Sequence, residues 1–331
     1  LKHQHHEAEG ASLRERLFAN IDTASKIGSA LAPISNWATD IPGARAVMQK
    51  LFGIAPEREL PTFSRETLQD WFDARGGSTV SRAEADRKVL LFPDTYTNYS
   101  YPTAGKAAVE TLEAAGVHVT IPDNTAPSGR AAYSTGMLDV ARDRAETNTD
   151  RLADRVTEGW DIVFVEPSDA VMFQDEYLDL LDGSAVSQVA DSAYGVLEYL
   201  DTFRLDDALP VEDRSLGAAG AVSYHGHCNQ KGTNKDHHAV GVMRRVGYEV
   251  DPLDSTCCGM AGSFGYHDEH YDLSKTIGRL LFDKVEESDG DRVVAPGGSC
   301  RSQLGDRDGV DEIPPHPIEV VAERVPETTT S

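Results

Sequence analysis

A strand–helix pattern that occurs twice limits the fold of this chain more than any other feature. The stretch AAVETLEAAGVHVTIPDNTAPSG (Ala107–Gly129) aligns with HAVGVMRRVGYEVDPLDSTCCG (His238–Gly259). In both, a helical stretch ends at a glycine (Gly116 or Gly247), a short strand follows, and a loop closes on a second glycine. The flanks repeat as well. KVLLF (88–92) precedes the first copy and AAGAVSYH (218–225) the second. A helical stretch (133–157) and IVFVE (162–166) follow the first, and a helix (269–287) and a strand (292–295) follow the second. Gly129 to Asp169 spans 40 positions and Gly259 to Cys300 spans 41. Short apolar strands alternating with crossover-length helices imply parallel sheets covered on both faces. The expected class is therefore α/β, with two duplicated parallel-sheet units over 86–212 and 213–325, preceded by a helical N-terminal segment.

That segment, 1–85, shows no strand pattern. Residues 12–32 read as one long amphipathic helix, 45–52 as a short helix ended by Gly53, and Ser64 as the N-cap of a helix over RETLQDWF. The chain begins at Leu1 without a methionine, as a piece cut from a longer protein would. Residues 326–331 read as a disordered tail.

The four cysteines are Cys228, Cys257, Cys258 and Cys300, all in the second copy. At the matching positions the first copy has Asp94, Pro127–Ser128 and Asp169. One copy thus carries a full set of thiols and the other none, which reads as one loaded and one emptied site. A disulfide framework belongs to short secreted chains, and neighbours Cys257 and Cys258 are poorly placed to pair with each other. Four thiolates suit one zinc ion or one 4Fe–4S cluster. Zinc sites favour Cys-x-x-Cys pairs, absent here, whereas adjacent cysteines reach two irons of an extended cluster. The glycines of CCGMAGSFG, Gly259 and Gly262 first among them, let backbone N–H groups approach cluster sulfurs. Spacing favours iron–sulfur and leaves zinc open.

Composition narrows the partners. The chain has 331 residues, 40% hydrophobic and 26% charged, which suffices for a core. Acids outnumber bases 55 to 31, a net charge of −24 that argues against nucleic acid as a partner. The acids are dispersed and only nine lysines accompany twenty-two arginines, as on a surface adapted to high salt. No apolar run approaches the ~20 residues of a membrane span, and no export signal stands at the start. A cytoplasmic protein is expected, reaching the inner face of a membrane only through partners.

SYHGHCNQKG, DSTCCGMAGSFGY and APGGSCRSQ resemble the cysteine-rich CCG domain. That domain occurs in heterodisulfide reductase, in anaerobic glycerol-3-phosphate dehydrogenase and in the iron–sulfur components of glycolate and lactate oxidation. FPDTYTNYSYPTAGKAAVETLEAAG, EPSDAVMFQDEY, PHPIEV and the opening LKHQHHEAEGASLRERLF are similar to the C-terminal part of fused FAD/iron–sulfur oxidoreductases of the D-lactate dehydrogenase and glycolate oxidase type. The resemblance implies two CCG-like units, the first degenerate. It also implies one 4Fe–4S cluster on the four cysteines, in an electron-transfer module of a flavin-linked 2-hydroxyacid dehydrogenase. FAD would lie on an upstream segment or partner, with a ferredoxin-type iron–sulfur segment and a membrane quinone as further partners. The family's closing Cys-x-x-Cys has Gly297 at its first position here, which departs from the five-cysteine cluster of heterodisulfide reductase. A structural zinc scaffold and a thiol–disulfide reductase are the rival functions.

His225 and His227 flank Cys228 and are candidates to hydrogen-bond or ligate a cluster, against the simpler reading of polar residues at a strand end. Arg301, next to Cys300, would raise a cluster's potential if it faced the sulfurs, or else form a surface salt bridge. His237, His238, His267 and His270 are left unassigned. Cys228–His225 as a hydrolase pair, and the glycine loop as a phosphate cradle, lack the rest of their machinery. No catalytic residue is assigned.

Overall fold

The computed structural model describes residues 2–38, 41, 43–310 and 312–326. Of the expected tail, all but Pro326 lies outside the described residues. The class is as expected, α/β with a helical N-terminal segment. β1 (Lys88–Leu91), β2 (His118–Thr120), β3 (Asp161–Phe164) and β4 (Ala193–Gly195) form one parallel sheet in the order β2-β1-β3-β4. β5 (Ala221–Tyr224), β6 (Glu249–Pro252) and β7 (Arg292–Val294) form a second, ordered β6-β5-β7. Each sheet puts its first strand in the centre with the second and third on either side. The first adds β4, a three-residue strand too short to show a pattern in the sequence.

Pleating explains the apolar strand runs. Val89 and Leu91 face one core, while Leu90 and Phe92 face another on the opposite side of the sheet. The first core is shared, since Val89, Leu91 and Val163 join Val222, Tyr224, Val250 and Val294 through the helices packed between the sheets. Helix Pro102–Ala114 packs on Pro317–Ala322, and Val196–Thr202 packs on His237–Arg245. A third cluster, on the other side of the second sheet, contains Cys258, Cys300, Met260, Tyr266, Leu281 and Leu304.

The N-terminal segment differs from its reading in detail. The long helix breaks at Asn20 into Leu13–Ala19 and Ile21–Ala30, because Asn20 leaves the helical region (φ −116°, ψ 35°). The cap before LQDWFDA is Thr67, in a capping box with Asp70, while the Ser64 hydroxyl donates to the Glu66 carbonyl instead. In the first unit Gly136, in the left-handed region at φ +87°, splits the expected helix into Arg130–Thr135 and Leu138–Thr157. The segment's firmest tie to the rest is Arg58, whose side chain is fully buried. Its Nε donates to the Gly265 carbonyl (3.0 Å), Nη1 to Gln303 Oε1 (2.6 Å) and to Asp306, and Nη2 to Ser274 Oγ (3.1 Å).

Candidate metal centre

Parallel strands deliver their following loops to one sheet edge, and here three loops bring four thiols together. After β5, His227 caps helix Cys228–Gly232, its Nδ1 accepting from the Asn229 N–H at 3.2 Å, so Cys228 opens that helix. After β6 the chain runs through Ser255 to Cys257 and Cys258. After β7, Gly297 caps helix Gly298–Gly305, which holds Cys300 in its first turn. All four cysteines are free; Cys258 and Cys300 are buried, Cys257 is half-buried and Cys228 is exposed. The thiols touch in sequence, Cys228 to Cys257, Cys257 to Cys258 and Cys258 to Cys300. Ligand atoms of His225, Cys258 and Cys300 all lie within 4.8 Å of one another.

These contacts divide the thiols electrostatically. A hydrogen bond from Cys228 holds Cys257 well below the usual thiol range, and one from Cys258 does the same for Cys300. The donors, Cys228 and Cys258, are correspondingly pushed up. A group of thiols that share protons this way is a ready polydentate thiolate site once a cation replaces the protons.

The surroundings fit a soft, sulfur-rich group. Gly259 adopts φ +94°, and a Cβ there would strike the Ser274 carbonyl, so helix Tyr271–Glu286 lies directly on the cysteine turn. The Gly259 N–H donates to Cys257 Sγ at 3.3 Å. Gly262, at φ +68°, faces open space. His225 is completely buried; its Nδ1 meets Ser255 Oγ at 2.7 Å, and its Nε2 has no partner among the described residues. Lys231 Nζ also reaches Ser255 Oγ, at 3.4 Å. With Lys231 donating, Ser255 gives its proton to His225 Nδ1, which leaves Nε2 carrying a proton beside the thiols.

The sequence candidates thus take different places. His225 joins the thiol group. His227 spends Nδ1 on its cap, and its ring covers Gly297, so a Cβ at position 297 would collide with it. Arg301 donates to the Pro314 carbonyl (2.7 Å), pairs with Glu319 (3.3 Å) and stacks on Tyr101. Ser255, Lys231 and Arg58 escaped the sequence reading, since none carries a local motif. The other clusters of ligand-type side chains, Asp201–His237–His238 and His267–Glu269–His270, are tied by arginines, Arg245 on Asp201 and Arg14 on Glu269.

Residues 222–305 match the cysteine-rich CCG domain. The match contains all four cysteines, so the likeness drawn from their spacing holds. Over nearly the whole chain the similarity runs further. A subunit of the anaerobic glycerol-3-phosphate dehydrogenase of Escherichia coli (strain K12) is 28% identical over 299 residues, 88% of this chain and 73% of that protein. The D-2-hydroxyglutarate dehydrogenase of the same organism is 23% identical over 94% of this chain, which spans only 30% of that protein's length. Lactate utilization protein A of Geobacillus sp. (strain WCH70) is 25% identical over 66% of this chain and 91% of its own. The first unit lies outside the CCG match, in keeping with its lack of cysteines.

Proposed function

We propose that this chain is the iron–sulfur electron-transfer module of a flavin-linked dehydrogenase. The observation that carries the reading is the convergence of four free thiols on one buried imidazole, whose Nε2 has no partner among the described residues. Cys228, Cys257, Cys258 and Cys300 hold one 4Fe–4S cluster, which when bound accepts and releases single electrons. The protein's part is to ligate, to bury and to direct hydrogen bonds at the sulfurs. Buried Cys258 and Cys300 exclude water from one side, while exposed Cys228 leaves the other open to an electron donor or acceptor. The Gly259 N–H and His225 Nε2 supply hydrogen bonds that favour the more reduced, more negative state.

The donor is a flavin on a partner or another segment, oxidising a small hydroxylated acid of the D-lactate or glycolate type. In support, the names of the relatives share a hydroxyl-bearing anionic substrate: glycerol 3-phosphate, 2-hydroxyglutarate, lactate. Electrons pass on towards quinone, with membrane association through partners. Among the described residues no helix is long and apolar enough to cross a membrane. The dispersed acid supports a cytoplasmic setting of high salt.

Purification without oxygen in molar potassium chloride, followed by iron, acid-labile sulfide and zinc analysis, tests the reading. Near four irons and four sulfides per chain with broad visible absorption are expected. Stoichiometric zinc without sulfide overturns it in favour of a structural scaffold.

A further inference from the structure

The loops of the first unit also converge, on carboxyl groups instead of thiols. Asp94 follows β1 and caps helix Thr95–Tyr99, its Oδ1 accepting from the Thr97 N–H at 2.8 Å. Ser128, in the loop after β2, donates its hydroxyl to Asp169 Oδ1, and Asp169 follows β3. Glu166 caps helix Pro167–Val171 and completes the group. All three carboxyl groups are at most 7% exposed.

Their hydrogen bonding is unequal. Glu166 accepts from the Ser168 N–H (3.3 Å), the Ser168 hydroxyl (2.9 Å) and the Gly298 N–H (2.8 Å). Asp94 Oδ2 is buried and has no partner among the described residues. The neighbouring elements offer little positive charge. Arg130, on helix Arg130–Thr135, is committed to Glu176. Tyr177 gives its hydroxyl proton to the Ser128 carbonyl at 2.8 Å, and beyond it Arg144 is held by Asp22. On the Glu166 side stand Tyr96 and Tyr101, with Arg301 paired to Glu319 and His316 kept neutral by burial. Three buried carboxylates with no free cation among the described residues cannot all be ionised. Glu166, with three donors, is the one that keeps its charge.

We propose that Asp94 and Asp169 share one proton at neutral pH, and that this site takes up its proton as an electron reaches the thiolate loops of the second unit. Electrostatics agree with the geometry: burial, then the Glu166 charge, raises Asp94 to about 7. Burial, then Asp94 and Glu166, raises Asp169 well above the usual carboxyl range. The link to the thiols is short. Glu166 holds the Gly298 N–H, two residues before Cys300, and the helix carrying Asp169 packs on the helix that begins with Cys228. Negative charge added at those loops favours the protonated pair, with the proton drawn from solvent and the electron from a reduced flavin, or from dithionite in the test.

The electron-linked half of this proposal rests on the iron–sulfur reading; the proton site itself does not. Infrared spectra of the anaerobically purified protein at pH 7 should show a protonated carboxyl band that Asp94→Asn or Asp169→Asn removes or shifts. Potentiometric titration with dithionite should give a cluster potential that falls as pH rises in the wild type and stays flat in the double Asn variant. A wild type with no protonated carboxyl at pH 7 overturns the proton site. A pH-independent wild-type potential overturns the coupling. A preparation without iron removes the proposed function and the coupling with it, while the infrared arm still decides the proton site.

Discussion

At the carboxyl edge of the first sheet the loops deliver Asp94, Ser128 and Asp169; at the same edge of the second they deliver His227, Cys258 and Cys300. The helix caps set this correspondence. Asp94 and His227 each cap the helix three residues beyond the end of the central strand, so Asp94 stands level with His227, one position before Cys228. Gly129 and Gly259 take nearly the same left-handed conformation, φ +91° and +94°, at the turn after Ser128 and Cys258. The frame that gathers three loops is therefore independent of what the loops hold. Soft thiolates suit iron and hard carboxyl groups suit protons, and each set is buried in the same manner.

The sharpest way to break this comparison is to remove one side chain from each site. Cys258→Ser or Cys300→Ser should abolish iron binding, seen as loss of visible absorption and of acid-labile sulfide, because each thiolate holds the metal directly. The double change Asp94→Asn with Asp169→Asn should leave the iron content unchanged. Iron lost from the carboxyl variant would mean that the two sites are one.

The pH dependence of stability separates the halves next. Asp94 titrates near 7 in the folded chain and near ~3.9 when unfolded, so the folded state binds the proton more tightly. Its contribution is complete below pH ~4 and is lost as pH rises through about 7. The loss is on the order of 4 kcal/mol at most. Denaturant midpoints measured from pH 5 to 8 should fall in the wild type and fall less in Asp94→Asn. Equal slopes would show that the carboxyl group is ionised throughout.

Much of this was legible because it is periodic. Short β-type runs such as KVLLF and IVFVE, with glycines closing the crossover helices, are local signals, and the strands lie within a few residues of where the sequence puts them. The thiol group was legible because cysteine is rare in the chain and its matching positions in the repeat are known. Arg58 was not, for it lies in a segment without strands and acts 207 residues away on Gly265 and 245 away on Gln303. Nor was the break at Asn20, where the chain leaves the helical region between two amphipathic stretches. Arg301 shows the limit of proximity in sequence: adjacent to Cys300, its guanidinium is nonetheless turned to Pro314 and Glu319.

Arg58 sharpens the comparison from the second unit's side, since among the described residues the first unit has no such clamp on its loops. Arg58→Met leaves Asp306 without its buried partner and frees Gln303 and Ser274, at a cost of about 3 kcal/mol. Denaturant unfolding of the metal-free protein reads that cost, and chelator-driven iron release should accelerate in the variant. Adding Asp306→Asn should recover part of the stability, because no unpaired carboxylate then remains. Unaltered stability and iron release would make the N-terminal segment a mere cover.

The smallest effect distinguishes two roles of one residue. Asp94 both caps helix Thr95–Tyr99 and supplies a carboxyl group to the buried site. Asparagine keeps the cap, since its side-chain oxygen can accept from the Thr97 N–H, but it cannot titrate. Alanine loses both. At pH 5, where the carboxyl is protonated and the proton is not at issue, Asp94→Ala should be less stable than Asp94→Asn by about 1 kcal/mol, the usual worth of an N-cap. At pH 8 both variants lack the unfavourable ionisation, so the gap between them should persist while both gain on the wild type. If the cap were the whole function of Asp94, the asparagine variant would track the wild type at every pH. A constant gap between the two variants, with a wild-type curve that runs parallel to neither, requires the cap and the proton site together.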